Sequence, residues 1–385
     1  MIVDCPHYGS HMPKILHIIN RLGLGGAEVM LLDTIRNSNR AEFDYHILLP
    51  HGKGELDNRA ASFGIPLHYL LEGEKSGRFN LLREGIGFLK NFKPNIIISH
   101  TRFSDLIGLY GGSKAGIPLR IMTVHAAGMY FYDSWPIHEG IAEYFVSRFA
   151  KHYVAVSREV IKYLQKYGNI PSEKITLIPN GIDPIRVCGT DIRDRDDVRK
   201  SLGFGVNQFV VLSIGRLIQA KGFDILIDEF ASFAEKAKEA SLLIAGYGAE
   251  QKNLIRKASM LRIADRVNII GRYPNLSELL KSCDCYVMPS RQEGFGLSIL
   301  EAMANGLPVI GNKVGAVPEI IENGVNGLSF SIRNKGELAS RIFDIFNDRN
   351  AALMYGENAR KTALEKYHVK NTSQKYEELY RKLLS

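Results

Sequence analysis

Apolar residues along this chain fall into two rhythms. Ile15–Ile19, Tyr45–Leu49, Ile96–Ser99, Ile121–Val124 and Tyr153–Val156 are short apolar runs, separated by stretches where apolar residues recur at helical spacing. Strands that are apolar on both faces are covered on both sides, so this alternation predicts a parallel sheet between helical layers. The rhythm pauses over residues 188–208, where Asp191-Ile192-Arg193-Asp194-Arg195-Asp196-Asp197 reads as a solvated connection or helix entry. It resumes with Val210–Ile214, Leu242–Ala245, Val267–Ile270 and Cys285–Met288. An α/β chain of two Rossmann-like domains is expected, over residues 13–187 and 188–365. Tyr376, Leu379, Tyr380, Leu383 and Leu384 then give the closing segment, 366–385, one apolar helical face.

Several strand runs end in glycine. Lys14–Ile19 leads into Gly23-Leu24-Gly25-Gly26-Ala27-Glu28 and a helix from Val29 to about Arg36. Leu242–Ala245 leads into Gly246-Tyr247-Gly248, and Val267–Ile270 into Gly271-Arg272. Val210–Ile214 is followed by Gly215-Arg216-Leu217 and then Lys221-Gly222. Ligands of open α/β sheets sit at the carboxyl ends of the strands. There a planar Arg216 fork and a mobile Lys221 ammonium, on one loop, can grip a pyrophosphate from two sides.

The most informative stretch is Glu293-Gly294-Phe295-Gly296-Leu297-Ser298-Ile299-Leu300-Glu301, with two carboxylates eight residues apart. Pro289 and Ser290 end the strand before it. Gly294 and Gly296 let the backbone approach a ligand closely. Ser298–Asn305 carries apolar residues at helical spacing and stops at Asn305-Gly306 with Pro308 beyond. Amides at the start of that helix favour an anion such as a diphosphate. Two solvated glutamates in a surface turn would be the plainer reading, but Glu301 lies on a helix too apolar to be freely exposed.

Composition narrows the class. The 385 residues suit two domains, and 45% hydrophobic with 23% charged residues are globular values. The net charge of +8 is spread without a long Lys/Arg block, which fits anionic donors or an anionic membrane surface better than nucleic acid. Cys5, Cys188, Cys283 and Cys285 have no zinc-site spacing and point to a reducing compartment. No apolar run approaches a spanning length and no secretory leader is visible. Gly9-Ser10-His11-Met12 resembles a cloning scar, so residues 1–12 are expected to be a vector-derived or disordered leader.

Taken in order, a set of these segments resembles the retaining glycosyltransferases of family 4, which have the GT-B fold. The set is Gly25-Gly26-Ala27-Glu28, Thr123-Val124-His125, Val156-Ser157, Asn180-Gly181-Ile182-Asp183, Gly215-Arg216-Leu217 with Lys221-Gly222, Gly246-Tyr247-Gly248, Glu293 to Glu301, and Gly315-Ala316-Val317-Pro318-Glu319. Ala316 stands where a second glycine is common. The resemblance implies two Rossmann-like parallel-sheet domains facing each other across a cleft, with the final helix crossing back to the first. It implies that Arg216 and Lys221 hold the donor diphosphate, that Glu293 contacts the transferred sugar, and that Glu301 binds the ribose. Gly25 and Gly26 would close over the diphosphate and acceptor side, and His125 would face the sugar. Catalysis would rest on Glu293, His125, Arg216 and Lys221. The donor site would further include Gly215, Gly246, Gly248, Ile270, Gly271, Arg272, Gly294, Phe295, Gly296 and Leu297.

The expected activity is metal-free, cofactor-free transfer of a sugar from a nucleoside diphosphate, UDP rather than GDP, to a glycan, lipid-linked or small-molecule acceptor. Its expected setting is cell-envelope polysaccharide synthesis in the cytoplasm, with possible peripheral contact at the inner membrane face. The chain lacks an Asp-x-Asp pair at a strand end and a His/carboxylate cluster at ligand spacing. A nucleotide-sugar 2-epimerase of related architecture, using carboxylates and His for proton abstraction, is the enzymic alternative. A basic RNA- or membrane-binding scaffold is the other. Arg78, Arg83, Lys90 and Lys93 around Leu81, Leu82, Ile86, Phe88 and Leu89 make either a membrane-facing basic helix or an ordinary surface helix. Tyr130-Phe131-Tyr132 and Trp135 would line an acceptor cleft or cover a core. Ten of the eleven histidines precede residue 153, a bias the pattern does not explain.

Overall fold

Residues 12–70, 77–127, 144–189 and 193–385 are described by the computed structural model. Tyr130-Phe131-Tyr132, Trp135, Cys5 and Asp191-Ile192 lie outside them. The chain divides into two units, the residues up to Gly181 together with Val369–Ser385, and Ile182–His368.

The first unit holds strands β1 (Lys14–Ile18), β2 (Asp44–Leu49), β3 (Leu67–Tyr69), β4 (Ile96–Ser99), β5 (Leu119–Val124), β6 (His152–Ala155) and β7 (Ile175–Leu177). They pair in parallel in the order β3-β2-β1-β4-β5-β6-β7. The second unit holds β8 (Phe209–Ile214), β9 (Ala240–Ala245), β10 (Val267–Ile270), β11 (Cys285–Met288), β12 (Val309–Asn312) and β13 (Leu328–Phe330). Their order, β10-β9-β8-β11-β12-β13, repeats that of the first six strands, again all parallel. In each sheet the chain reverses its direction of travel between the first and fourth strands, so β1/β4 and β8/β11 are the switch points where such folds bind ligands.

The central strands are apolar and fully buried, as double coverage requires: Ile96, Ile97 and Ile98 of β4 and Val210, Val211 and Leu212 of β8 are each 0% exposed. The final helix, Val369–Leu384, packs Tyr376, Leu379 and Tyr380 into the first unit's core with Phe43 and Tyr45. Ser373 Oγ donates to Thr34 O at 2.8 Å, and Glu377 accepts from Asn39 N at 2.6 Å.

One boundary differs from expectation. The first unit ends at Gly181 rather than 187, because helix Pro184–Cys188 is tied to the second unit. Asn305 Nδ2 donates to Val187 O at 3.1 Å and Ser277 Oγ to Cys188 O at 2.7 Å. The described part of the charged run is the expected solvated helix entry, with Arg193, Asp194, Arg195 and Asp197 exposed at the start of helix Arg195–Ser201, while Arg199, beyond the run, is 1% exposed. Its guanidinium donates to the carbonyls of Ser282, Gly205, Val206 and Gln208 and pairs with Asp284 at 2.6 Å, which compensates a buried cation.

Candidate active site

At the switch point of the second sheet, the loops after β8 and β11 are built as one piece. Arg291 N donates to Ala220 O at 2.8 Å, and its guanidinium donates to Gln219 O at 2.9 Å. The same guanidinium holds Asp224 in a bidentate pair at 2.6 and 2.7 Å, which lowers that carboxyl below its ordinary range. Gly222 has φ +67°, and a Cβ there would lie 2.1 Å from Pro289 O. Gly315 has φ +58°, and its Cβ would lie 2.3 Å from Glu293 O, so two glycines let three loops converge.

This convergence brings Lys221 to Glu293. Lys221 Nζ sits 2.7 Å from Glu293 Oε2, and Ser290 Oγ donates to the same oxygen at 3.1 Å. Asn312, buried at the end of β12, donates to Ser290 O at 2.8 Å and fixes that loop from behind. Arg216, five residues before Lys221, is exposed and pairs with no carboxylate among the described residues. An anion entering here meets one unneutralised guanidinium and one ammonium already shared with a carboxylate.

The helix after this loop runs Leu297–Ala304, one residue earlier than its pattern suggested, with Gly296 at φ +91° before it. Ile299 N and Leu300 N return to Gly296 O, while Leu297 N and Ser298 N make no hydrogen bond among the described residues. Gly294 is buried in the loop, and the Phe295 side chain packs edge-on against Tyr367 at 5.9 Å, so Phe295 can meet a ligand only through its backbone. Glu301 is largely buried and pairs through Oε1 with Arg186 Nη1 at 2.9 Å.

The remaining donor-side residues line the neighbouring strand ends. Gly215 N donates to Ala245 O at 3.1 Å, Leu217 N to Tyr247 O at 2.8 Å, and Gly246 N to Ile270 O at 2.9 Å. These bonds stack the turns containing Gly215, Gly246-Gly248 and Ile270-Gly271-Arg272 side by side, the last being exposed at the sheet edge.

Gly25, Gly26 and His125 belong to the first unit. The helix after β1 begins at Gly26 with Gly25 as its N-cap, three residues before the expected Val29. His125 directly follows β5, and its Nε2 lies 3.3 Å from His100 Nδ1. His100 Nε2 in turn lies 2.9 Å from His17 Nδ1. Burial pushes His17 down to about 3 and His125 down to about 4, and lowers His100 well below its ordinary value. Arg186, Ser290, Asn312, His17 and His100 were not singled out from sequence. His100, like His125, directly follows a buried strand, a position that marks ligand-facing polar residues in such sheets.

Twin sheets, with the second one's cationic loop and helix N-terminus meeting at its switch point, are the framework of the GT-B glycosyltransferases. HepE of Anabaena, crystallised with UDP-glucose, superposes with a TM-score of 0.83 at 25% identity, covering 97% of this chain and 100% of that one. The chain belongs to the family-4 glycosyltransferases: the sequence model "Glycosyltransferase Family 4" matches residues 24–186, and "Glycosyl transferases group 1" matches 194–362. An uncharacterized glycosyltransferase of Methanocaldococcus jannaschii is 28% identical over 78% of both chains. An Escherichia coli UDP-Gal:alpha-D-GlcNAc-diphosphoundecaprenol alpha-1,3-galactosyltransferase is 23% identical over 95% of this chain and 96% of its own.

Proposed function

We propose that this glycosyltransferase moves a sugar from a UDP-linked donor to a hydroxyl of a glycan or lipid-linked acceptor, retaining the anomeric configuration and using no metal. The observation that carries this reading is the Lys221–Glu293 contact of 2.7 Å at the β8/β11 switch point, beside the open Leu297 and Ser298 amides. As the bond from the sugar's anomeric carbon to the diphosphate breaks, charge grows on the leaving oxygen. Arg216, Lys221 and the amides are placed to stabilise it. The acceptor oxygen bonds the same face and its proton passes to the departing phosphate, so no enzymic nucleophile is required. Glu293, held by Lys221 and Ser290, orients sugar hydroxyls, while Glu301 takes the ribose. HepE with UDP-glucose and the E. coli enzyme named for UDP-Gal and a diphosphoundecaprenol acceptor support the choice of base and acceptor class.

The test has two arms. In a thermal-shift series, UDP at 100 times its dissociation constant stabilises by about 2.7 kcal/mol, with GDP giving less. In a transfer assay with excess chelator, turnover persists and NMR of the product shows the donor's anomeric configuration. A new nucleotide sugar formed without acceptor would identify an epimerase instead. Turnover lost on chelation and restored by manganese would overturn the metal-free mechanism.

We also propose peripheral contact with anionic membrane. Among the described residues no helix is long and apolar enough to cross a bilayer. Helix Arg78–Phe92 buries Leu81, Gly85 and Leu89 and leaves Arg78, Arg83, Lys90 and the adjoining Lys93 exposed, with Phe79 77% exposed beside them. Each basic side chain near an acidic surface contributes about 1 kcal/mol, screened by salt. Sedimentation with acidic vesicles at low salt should fall in the Arg83→Glu/Lys90→Glu variant. Equal sedimentation of variant and wild type would remove this helix from the argument.

A further inference from the structure

The first sheet places three histidines in a row across adjacent strands: His17 on β1, His100 just after β4 and His125 just after β5. Their N···N distances are 2.9 and 3.3 Å, and their ring planes lie within 21° and 29° of each other. The ring centroids are 5.2 and 5.5 Å apart, longer than N···N by about one ring width, so the imidazoles meet edge to edge as in-plane hydrogen bonding requires. Only the two ends of the row, His17 Nε2 and His125 Nδ1, are buried without a partner.

Burial keeps all three rings neutral near pH 7, and a neutral imidazole has one N–H and one lone pair. Their protons must therefore run in one direction along the row, and only two arrangements exist. One puts an N–H on His17 Nε2, where His17 is 2% exposed within the sheet and that atom has no partner among the described residues. The other leaves a lone pair there and puts the N–H on His125 Nδ1, also unpartnered but on a partly exposed residue at the carboxyl end of the sheet, the end where such sheets bind ligands. An orphaned buried N–H is a rarer defect than an under-satisfied acceptor.

We infer that His17 and His100 are positioning residues that set His125 as the Nδ1–H tautomer, so that it presents a hydrogen-bond donor to substrate at the carboxyl end of the first sheet. The row explains why histidine occurs on β1, where an apolar residue would pack as well. Its kinetic test rests on the proposed transferase activity and on the expectation, implied by the family resemblance, that His125 meets substrate, but its first test does not.

¹⁵N-histidine NMR of the full chain with UDP bound should show His125 protonated at Nδ1 and bare at Nε2. His17→Phe keeps a flat ring but removes the donor, and should give His125 as a mixture of tautomers. In that variant kcat/KM should fall about tenfold, the size of one directed hydrogen bond, with UDP affinity unchanged. His17→Asn returns an N–H near the lost Nδ1 and should restore both the single tautomer and the rate. A wild-type His125 protonated at Nε2 would overturn the inference, whether or not the variants fold. So would equal loss of rate and melting temperature in the Phe and Asn variants, which marks packing alone. The expected tautomer in a protein without transferase activity would count against the proposed function and not against the row.

Discussion

Arg216→Ala and Lys221→Ala are each expected to lower kcat/KM by about 10²-fold or more, because each removes a cation aimed at charge that develops only as the diphosphate leaves. The structure separates the two in a second measurement. Arg216 is exposed and pairs with no carboxylate among the described residues, so its removal should leave the melting temperature unchanged. Lys221 holds Glu293 at 2.7 Å, with side chains 23% and 13% exposed, so Lys221→Ala strands a partly buried carboxylate and should also destabilise. Adding Glu293→Gln to Lys221→Ala should recover stability without recovering turnover. Near-normal turnover in both single variants would remove the diphosphate clamp from the mechanism.

The parts of the fold legible in sequence were those whose signal is local. Central strands such as Ile96–Ser99 and Val210–Ile214 are continuous apolar runs because both faces are covered, and both appear within one residue of their expected bounds. β3 and β7, three residues each, sit at the outer edges of their sheet with no fully buried residue, so no such run marks them. β12 was missed because Gly311 breaks its pattern. The burial of Arg199 is hidden from the sequence for a different reason. A charged run reads as solvated surface, and only the fold shows four carbonyls and Asp284 gathered around its guanidinium.

The site divides along the same line. The loop from Glu293 to Glu301 carries its glycines and helix start in one segment and could be read directly. The partners of its carboxylates could not: Lys221 is 72 residues from Glu293, and nothing in the sequence says that Gly222 must pass within contact of Pro289. The excess of histidine before residue 153 also acquires a partial physical account. His17, His100 and His125 form one row, and His46 and His68 meet at 3.0 Å beneath Phe88 and Phe92. Each pairing joins neighbouring strands, which a linear reading does not connect.

The two glutamates should separate by what they bind. Glu301→Gln is expected to weaken UDP binding by about 1 to 3 kcal/mol, since a charge-assisted bond to ribose is lost. Glu293→Gln should leave UDP affinity nearly intact and lower turnover, because its partners Lys221 and Ser290 hold it for the sugar. Arg186 adds a further constraint. By gripping Oε1 of Glu301 at 2.9 Å it fixes the carboxylate, and in the proposed reading Oε2 takes a ribose hydroxyl. Arg186→Ala should therefore weaken UDP as Glu301→Gln does, and the double variant should be little weaker than either, as residues acting through one contact are not additive. Calorimetric titration of the wild type and the four variants with UDP decides the matter: affinity lost in Glu293→Gln but kept in Glu301→Gln reverses the two roles, and additive losses for Arg186 and Glu301 mean that the arginine meets the nucleotide by a separate contact.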